Sequence, residues 1–420
     1  MGPVNMDLII HGARLVLSLP GVVRSRADCR SLGCVEDGAI AIRNGRIVSV
    51  GLSDDILRRY RAKGYIDASG YIVTPGLVDP HTHLLYHGSR EDEREEIIGG
   101  ASYGDILARG GGILRTMRET SKADREILLV SLAARIDALL ESGVTTVEVK
   151  TGYGLSPQDE AKLLEILGEA VKTSRVDIVQ TLLAHVPMPG VDFKTLVEAY
   201  RDSLVPRALE LGVRFIDVFC DKGAFNPEES RTILRLGRSL GLVPRIHADE
   251  FSYIGCSDVG LEIQAASLDH LNQTPSEVVK RIAVSDSTAI LAPSTALAIV
   301  GKKPPSRELL DLGAIVAIAT DHSPALMNLN MVETINLAIN YLSIPPGNAI
   351  AAATVNAAYS LGLEGEVGSI VEGSKADLVI WSFPHYRWFG YLMHRSPIMC
   401  VIKNGLVVKN PGGCVVNERL

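Results

Sequence analysis

Three histidines and an aspartate, each at the end of an apolar run, have the types and spacing of a metal site. The runs end in His81-Thr82-His83, in His247-Ala248-Asp249-Glu250, in Asp269-His270 and in Thr320-Asp321-His322. Side chains two apart on a strand share a face, so the imidazoles of His81 and His83 can point into one site. With His247 and Asp321 they give imidazole nitrogens and a carboxylate, a set that suits zinc or iron. Such a set with a position left for water describes a catalytic site rather than a closed structural one, and its chemistry is hydrolysis. Taken singly each piece is weak, because His-x-His is common in loops and an Asp after a strand often caps a helix. Their joint placement carries the reading.

The elements that must hold these residues come next. From Val73 to about Leu363, eight apolar runs alternate with amphipathic helical stretches: 72–83, 144–152, 177–186, 214–223, 242–250, 267–271, 289–295 and 316–324. Continuous apolar strands indicate a parallel sheet covered by helices. Asn226-Pro227-Glu228-Glu229 carries an N-cap, a Pro at the first helical position and a capping-box Glu, and Thr274-Pro275-Ser276-Glu277 has the same form. Eight strand–helix units in roughly 290 residues make a (β/α)8 TIM-like barrel, whose catalytic groups lie at the C-terminal strand ends. No GxGxxG or Walker sequence follows the first strand. The two ends of the chain differ from its middle. Both are β-rich, with Asn44-Gly45 and Asn404-Gly405 between apolar runs, a strong hairpin signal. These readings predict a small β-sandwich made of residues 1–72 and 364–420, with the catalytic barrel, 73–363, inserted between them.

Composition narrows the function classes. The 420 residues are 46% hydrophobic and 22% charged, with a net charge of −7. No long Lys/Arg cluster is present, so nucleic acid and anionic membrane surfaces are poor partners. The start lacks a basic segment followed by an apolar one, which argues against a secretory signal. No apolar run approaches the roughly 18 residues that span a bilayer; the stretch near 289–300 is broken by Pro293. Six cysteines (Cys29, Cys34, Cys220, Cys256, Cys400, Cys414) lack CxxC spacing. That argues against a zinc knuckle, a thioredoxin-like site or a dense disulfide framework, and makes a reducing cytoplasm the default. Only Cys29 and Cys34 stand out as a pair that could join.

The strand leading into VTPGLVDPHTH and the ligand constellation resemble the amidohydrolase superfamily across nearly the whole chain. In that superfamily a carboxylated lysine at the end of the fourth strand marks two metals, and Lys222 lies just past run four. Its bland role is a solvated charge or an ion pair with Asp221. Glu250, three residues after His247, together with His270 marks the one-metal subclass, in which the Glu shuttles a proton. The resemblance thus implies one divalent or trivalent ion, zinc or iron, on His81, His83, His247 and Asp321.

Within the superfamily, HTHLLYHGSREDE (81–93), GGASYGDILARGGGI (99–113), GVTTVEVKTGYGL (143–155), DVFCDKGAF (217–225), HADEFS (247–252), LDHL (268–271) and TVNAAYSLGL (354–363) resemble the imidazolonepropionase family of histidine breakdown. The resemblance implies hydrolysis of the ring C–N bond of 4-imidazolone-5-propanoate to N-formimidoyl-L-glutamate. It makes Arg90 the grip on the propionate, through a planar fork. Tyr153, His185, Glu250 and Ser323 become further substrate contacts, and Glu250, His270 and Asp321 the proton-handling groups. Without it, Arg90 reads as a salt bridge with Glu91 or Glu93, Tyr153 as packing and His185 as a satisfied core or rim histidine. Tyr103 and Gly110-Gly111-Gly112 fall in a segment that could cover the mouth. Homodimers are usual in the superfamily. One stretch departs from the family: His322-Ser323-Pro324-Ala325-Leu326 stands where an Asn-Pro-Gly turn is usual, and run seven, LAPSTALAIV, lacks a glycine before its hydroxyl pair. Two other functions share parts of the pattern. A one-metal deaminase of a cytosine- or guanine-like base would not need an arginine at position 90. A non-catalytic metal-binding scaffold would have no use for Glu250, His270 and Asp321 together.

Overall fold

A computed structural model of the chain describes residues 4–101, 105–106, 109–392 and 396–418. The chain ends build one eight-stranded sheet. Its N-terminal strands are β1 (Val4–Leu17), β2 (Cys34–Arg43), β3 (Arg46–Leu52), β4 (Tyr60–Asp67) and β5 (Ile72–Pro75). Its C-terminal strands are β15 (Leu378–Trp381), β16 (Ile398–Lys403) and β17 (Leu406–Lys409). The order is β17-β16-β15-β5-β1-β2-β3, with β4 also paired to β1. Both Asn-Gly pairs turn hairpins as their sequence indicates, with φ of 53° and 71° at Asn44-Gly45 and 49° and 77° at Asn404-Gly405. Alternation along β2 sends Ile40 and Ile42 into a core with Ile66, Val73, Ile380 and Ile402, and sends Ala39 and Ala41 to the opposite face against Ile56 and Tyr65. The expected sandwich is therefore hydrogen-bonded into one branched sheet, because β1 pairs on one edge with both β4 and β5.

The middle of the chain forms the barrel. Its strands are β6 (Leu77–Asp79), β7 (Val144–Lys150), β8 (Asp177–Ala184), β9 (Phe215–Cys220), the split pair β10 (Val243–Pro244) and β11 (Ile246–Ala248), β12 (Ser267–His270), β13 (Thr288–Leu291) and β14 (Ile315–Ile318). All pairings are parallel, in the order β14-β13-β12-β11-β9-β8-β7-β6. No ladder joins β14 to β6. Closure comes instead from bonds at and past their ends: Asp321 N–H to the His81 carbonyl at 3.2 Å, His83 N–H to the His322 carbonyl at 2.9 Å, and Thr320 N–H to the Asp79 carboxylate at 3.2 Å. The seam of the barrel thus runs through the residues at the centre of the site.

The first run divides between the two sheets. Ile72–Pro75 belongs to the terminal sheet, and only Leu77–Asp79 enters the barrel. Gly76 makes the switch, and a Cβ there would lie 2.2 Å from the Thr145 hydroxyl. Two local readings differ from expectation. The helix Pro227–Leu240 has its full capping box at Asn226 and Glu229, whereas Ser276–Ala283 has no side-chain cap. Thr274 uses its hydroxyl on Asp249 instead, at 2.7 Å. Cys220 and Cys256 form a disulfide that their 36-residue separation concealed, while Cys29 and Cys34 are free thiols. Among the described residues no helix is long and apolar enough to cross a membrane.

Candidate active site

Alternation inside the barrel stacks its side chains in layers. Along β9, Ile216 and Val218 face the helices in the large outer core, while Phe215, Asp217 and Phe219 face inward. Phe215 joins Val78, Ile290 and Ala317 in an apolar floor. Above it lies a layer of charge. Lys150 Nζ donates to Glu148 at 2.9 Å and Asp217 at 2.8 Å, and Arg245 stands 3.6 Å from Asp269. All five of these side chains are fully buried. Removing one member of such a network leaves an uncompensated charge and costs about 3–5 kcal/mol. Burial opposes the charge on Lys150, but Asp217 and Glu148 outweigh it and raise its pKa.

This charged layer holds the imidazoles above it. His81 Nδ1 meets Asp269 at 2.6 Å, and His247 Nδ1 lies 3.1 Å from Asp217. A carboxylate on Nδ1 fixes the ring and turns Nε2 toward its target. The Nε2 atoms of His81 and His247 each lie 3.3 Å from that of His83. Asp321 Oδ1 stands 3.5 Å from His81 and 3.6 Å from His83, while its other oxygen accepts from Thr295 at 2.6 Å. Burial, then neighbouring positive groups, drives the pKa of His81 and of His83 well below the usual histidine range. The rings are therefore neutral, and their converging lone pairs need a cation. These donors fit a metal ion: His81, His83 and His247 converge as one group that could hold it, and His81, His270 and Asp321 as an overlapping second.

Strand ends supply the rest. His270, at φ 77°, leaves β12 beside Glu250, with 3.9 Å between its Nε2 and the carboxyl. Burial, then the charge of Asp321, pushes Glu250 well above the usual carboxyl range; Asp321 itself is raised by burial to about 6. Asp249 and Asp321 also have positive φ, at 56° and 49°. Strained non-glycine residues of this kind collect at functional sites.

A cavity of about 580 Å³ opens over the cluster and is lined by His83, Arg90, Tyr153, His185, His247, Glu250, His270, Asp321 and Ser323. Every site residue read from the sequence is therefore brought together, with His81 just beneath. Arg90 is 6% exposed, and its Nε and one terminal nitrogen have no hydrogen-bond partner among the described residues. Of the two salt-bridge partners the sequence offered, Glu91 and Glu93, Glu93 stands 3.9 Å away and accepts from the Gly112 N–H. His185 stacks on His83 with 5.0 Å between ring centres. Lys222 is exposed at the rim of the cavity. Asp221 makes no ion pair with its ammonium among the described residues: its carboxylate binds the backbone N–H groups of Lys222, Phe251 and Ser252. Gly110 and Gly112 have φ of 80° and 59° and form a pinned turn before Ile113–Lys122, and Tyr103 lies outside the described residues. His322 is directed away from the cavity, sharing a 3.0 Å hydrogen bond with the Tyr86 hydroxyl; burial lowers its pKa to about 3.

Sequence reasoning missed Glu148, Lys150, Asp217, Arg245 and the partner role of Asp269. Their signal was present as charged residues within runs that are otherwise apolar, as in TVEVK and FIDVF.

Comparison with known proteins extends the geometry. Residues 260–408 match the amidohydrolase family. Among solved structures, guanine deaminase of E. coli superposes with a TM-score of 0.73 at 18% identity, covering 96% of this chain and 98% of that one. A zinc-bound adenosine deaminase from Xanthomonas campestris gives 0.70 at 18% identity, over 99% and 95%. At that distance the likeness concerns the fold. Curated relatives are much nearer. Imidazolonepropionase of Pyrobaculum arsenaticum is 44% identical over 95% of this chain and 98% of its own length. Those of Geobacillus kaustophilus and Haloarcula marismortui are 40% and 36% identical, over 96% and 97% of this chain and 98% and 97% of their own. With that identity carried from end to end, the chain belongs to the imidazolonepropionase family of the amidohydrolase superfamily.

Proposed function

We propose that the chain hydrolyses the ring C–N bond of 4-imidazolone-5-propanoate, giving N-formimidoyl-L-glutamate in histidine degradation. The observation that carries the reading is Arg90, a buried guanidinium on the wall of the cavity above the histidine cluster, with N–H groups that find no partner among the described residues. A substrate with a flexible carboxylate supplies what that fork lacks, in two parallel charge-assisted bonds. The family names of the relatives point to the same substrate.

His81, His83, His247 and Asp321 would hold one divalent or trivalent ion, zinc or iron. When bound, such an ion acts as a Lewis acid that lowers the pKa of water and polarises a carbonyl. Arg90 anchors the propionate, and Tyr153, His185 and Ser323 orient the ring so that its carbonyl carbon faces the cluster. Asp321 or His270 takes a proton from the attacking water and keeps its oxygen aimed at that carbon. His270 then stabilises the charge that develops on the carbonyl oxygen. Glu250, whose pKa burial raises well above the usual carboxyl range, gives its proton to the ring nitrogen as the C–N bond breaks. Water's oxygen ends on the new carboxyl and its proton replaces the one Glu250 gave. The small-molecule substrate needs no nucleic-acid or membrane partner, and the reading carries with it a cytoplasmic homodimer.

The test follows loss of imidazolonepropionate absorbance with metal-loaded protein, with cytosine and guanine deamination assayed in parallel. Ring opening should be fast, and Arg90→Ala should lower kcat/KM about 10- to 100-fold, mostly through KM, as loss of a charged hydrogen-bond pair implies. No ring opening, with ammonia released from a base, would replace the reading with the deaminase.

A further inference from the structure

The loop that carries Tyr153 is held by a carboxylate that no step above uses. Glu160 lies in the first turns of the helix Pro157–Thr173, four residues past its Ser156 N-cap. Its side chain reaches back out of the helix. The Gly152 N–H donates to one carboxylate oxygen at 2.7 Å, and the Gly154 N–H to the other at 2.9 Å. These are the two neighbours of Tyr153, so a single group pins the chain on both sides of it. Space is fitted to the arrangement. A Cβ on Gly154 would lie 2.5 Å from the Glu160 backbone nitrogen and 2.6 Å from its carboxylate, and one on Gly152, at φ 109°, would press on Leu183 and His185 within about 3.1 Å. The Tyr153 ring is thereby set 5.2 Å from that of His185 and 6.1 Å from that of His83.

A helix-stabilising role does not account for this carboxylate. Ser156 already caps the helix by accepting from the Asp159 N–H, and Pro157 begins it. Both amides that Glu160 receives precede the helix. The side chain is 1% exposed, and a buried carboxylate is costly unless its bonds are made. Those bonds go to the loop of the substrate cavity.

We infer that Glu160 is a positioning residue for the reaction, which sets the Tyr153 ring against the substrate by bridging the Gly152 and Gly154 amides. The inference rests on Tyr153 being a substrate contact, as proposed above.

A mutant cycle on the metal-loaded enzyme tests it, using Glu160→Gln, Tyr153→Phe and the double variant. Glutamine keeps the size but offers one acceptor and turns an NH2 toward the other glycine amide. Alone, Glu160→Gln should lower kcat/KM about tenfold or more, as loss of a bond to a charged group implies. In the Tyr153→Phe background its effect should shrink to about twofold or less, because both changes act through one contact. Metal content should be unchanged. Hydrogen exchange should rise about tenfold at amides 152 and 154 and stay unchanged at 144–150. Additive losses in the double variant, or unaltered exchange, would overturn the inference. Should Glu160→Gln fail to fold, Glu160→Asp, whose shorter side chain cannot reach both amides, takes its place in the same cycle. A wild type that does not open imidazolonepropionate sinks the substrate reading alone. Exchange at 152 and 154 then decides on Glu160 by itself, since unchanged exchange refutes the bridge and faster exchange retains it.

Discussion

The direction of their pKa shifts separates the carboxyl groups of the site into two kinds. Glu250 has burial and the nearby Asp321 charge against it, with His270 Nε2 3.9 Å away. Asp217, by contrast, is held well below the usual range, because His247 and Lys150 overcome the burial that would raise it. A carboxyl kept protonated can give a proton, whereas one kept ionised orients an imidazole. Glu250→Gln retains shape and removes only the transferable proton. It should keep its metal while losing about 10²- to 10⁴-fold in kcat, the usual range for general acid–base catalysis. A single-turnover measurement on metal-assayed protein checks this, and near-normal turnover would remove the proton-shuttle role.

Elements matter here chiefly through the way the barrel is tied to the terminal sheet. Asp177, the first residue of β8, receives Lys375 and Lys403 from the C-terminal part of the chain, each at 2.7 Å. Lys403 is 3% exposed and also binds Asp377. Burial opposes the charge on Asp177, but Lys403 and Lys375 prevail and its folded pKa lies below the ordinary 3.8. A depressed carboxyl contributes stability above its unfolded pKa and loses it as pH falls through the folded one. Asp177→Asn should therefore lower Tm at pH 7, and the gap from wild type should close progressively below about pH 4. Melts at a series of pH values measure it; a gap that stayed constant down to pH 2 would mean that the contact acts by packing alone. The hairpins and the barrel strands were legible in the sequence because Asn-Gly turns and apolar runs are local signals. The cap at Thr274 was not, because its hydroxyl answers Asp249, a residue 25 positions away.

At the scale of the whole molecule, the histidine cluster gathers strands from across the chain, so an ion bound there clamps the barrel seam. Loading with zinc or iron(II) should raise Tm, since a ligand at 100 times its Kd adds about 2.7 kcal/mol to the folded state. Chelation should reverse the rise, and His83→Ala should abolish it while leaving the far-UV circular dichroism intact. An equal rise in that variant would move the ion elsewhere.

The sequence by itself determined what repeats or is local: eight apolar runs, two Asn-Gly hairpins, the capping box at Asn226, and His81, His83, His247 and Asp321 at run ends as candidate ligands. It marked Arg90, Tyr153 and Glu250 through resemblance over the full chain. Only the tertiary structure decided which groups support them. Asp269 under His81, Asp217 under His247, and the bond between Cys220 and Cys256 join residues 188, 30 and 36 positions apart. No periodicity encodes such distances, because barrel closure, not neighbourhood in the chain, brings those side chains into one layer.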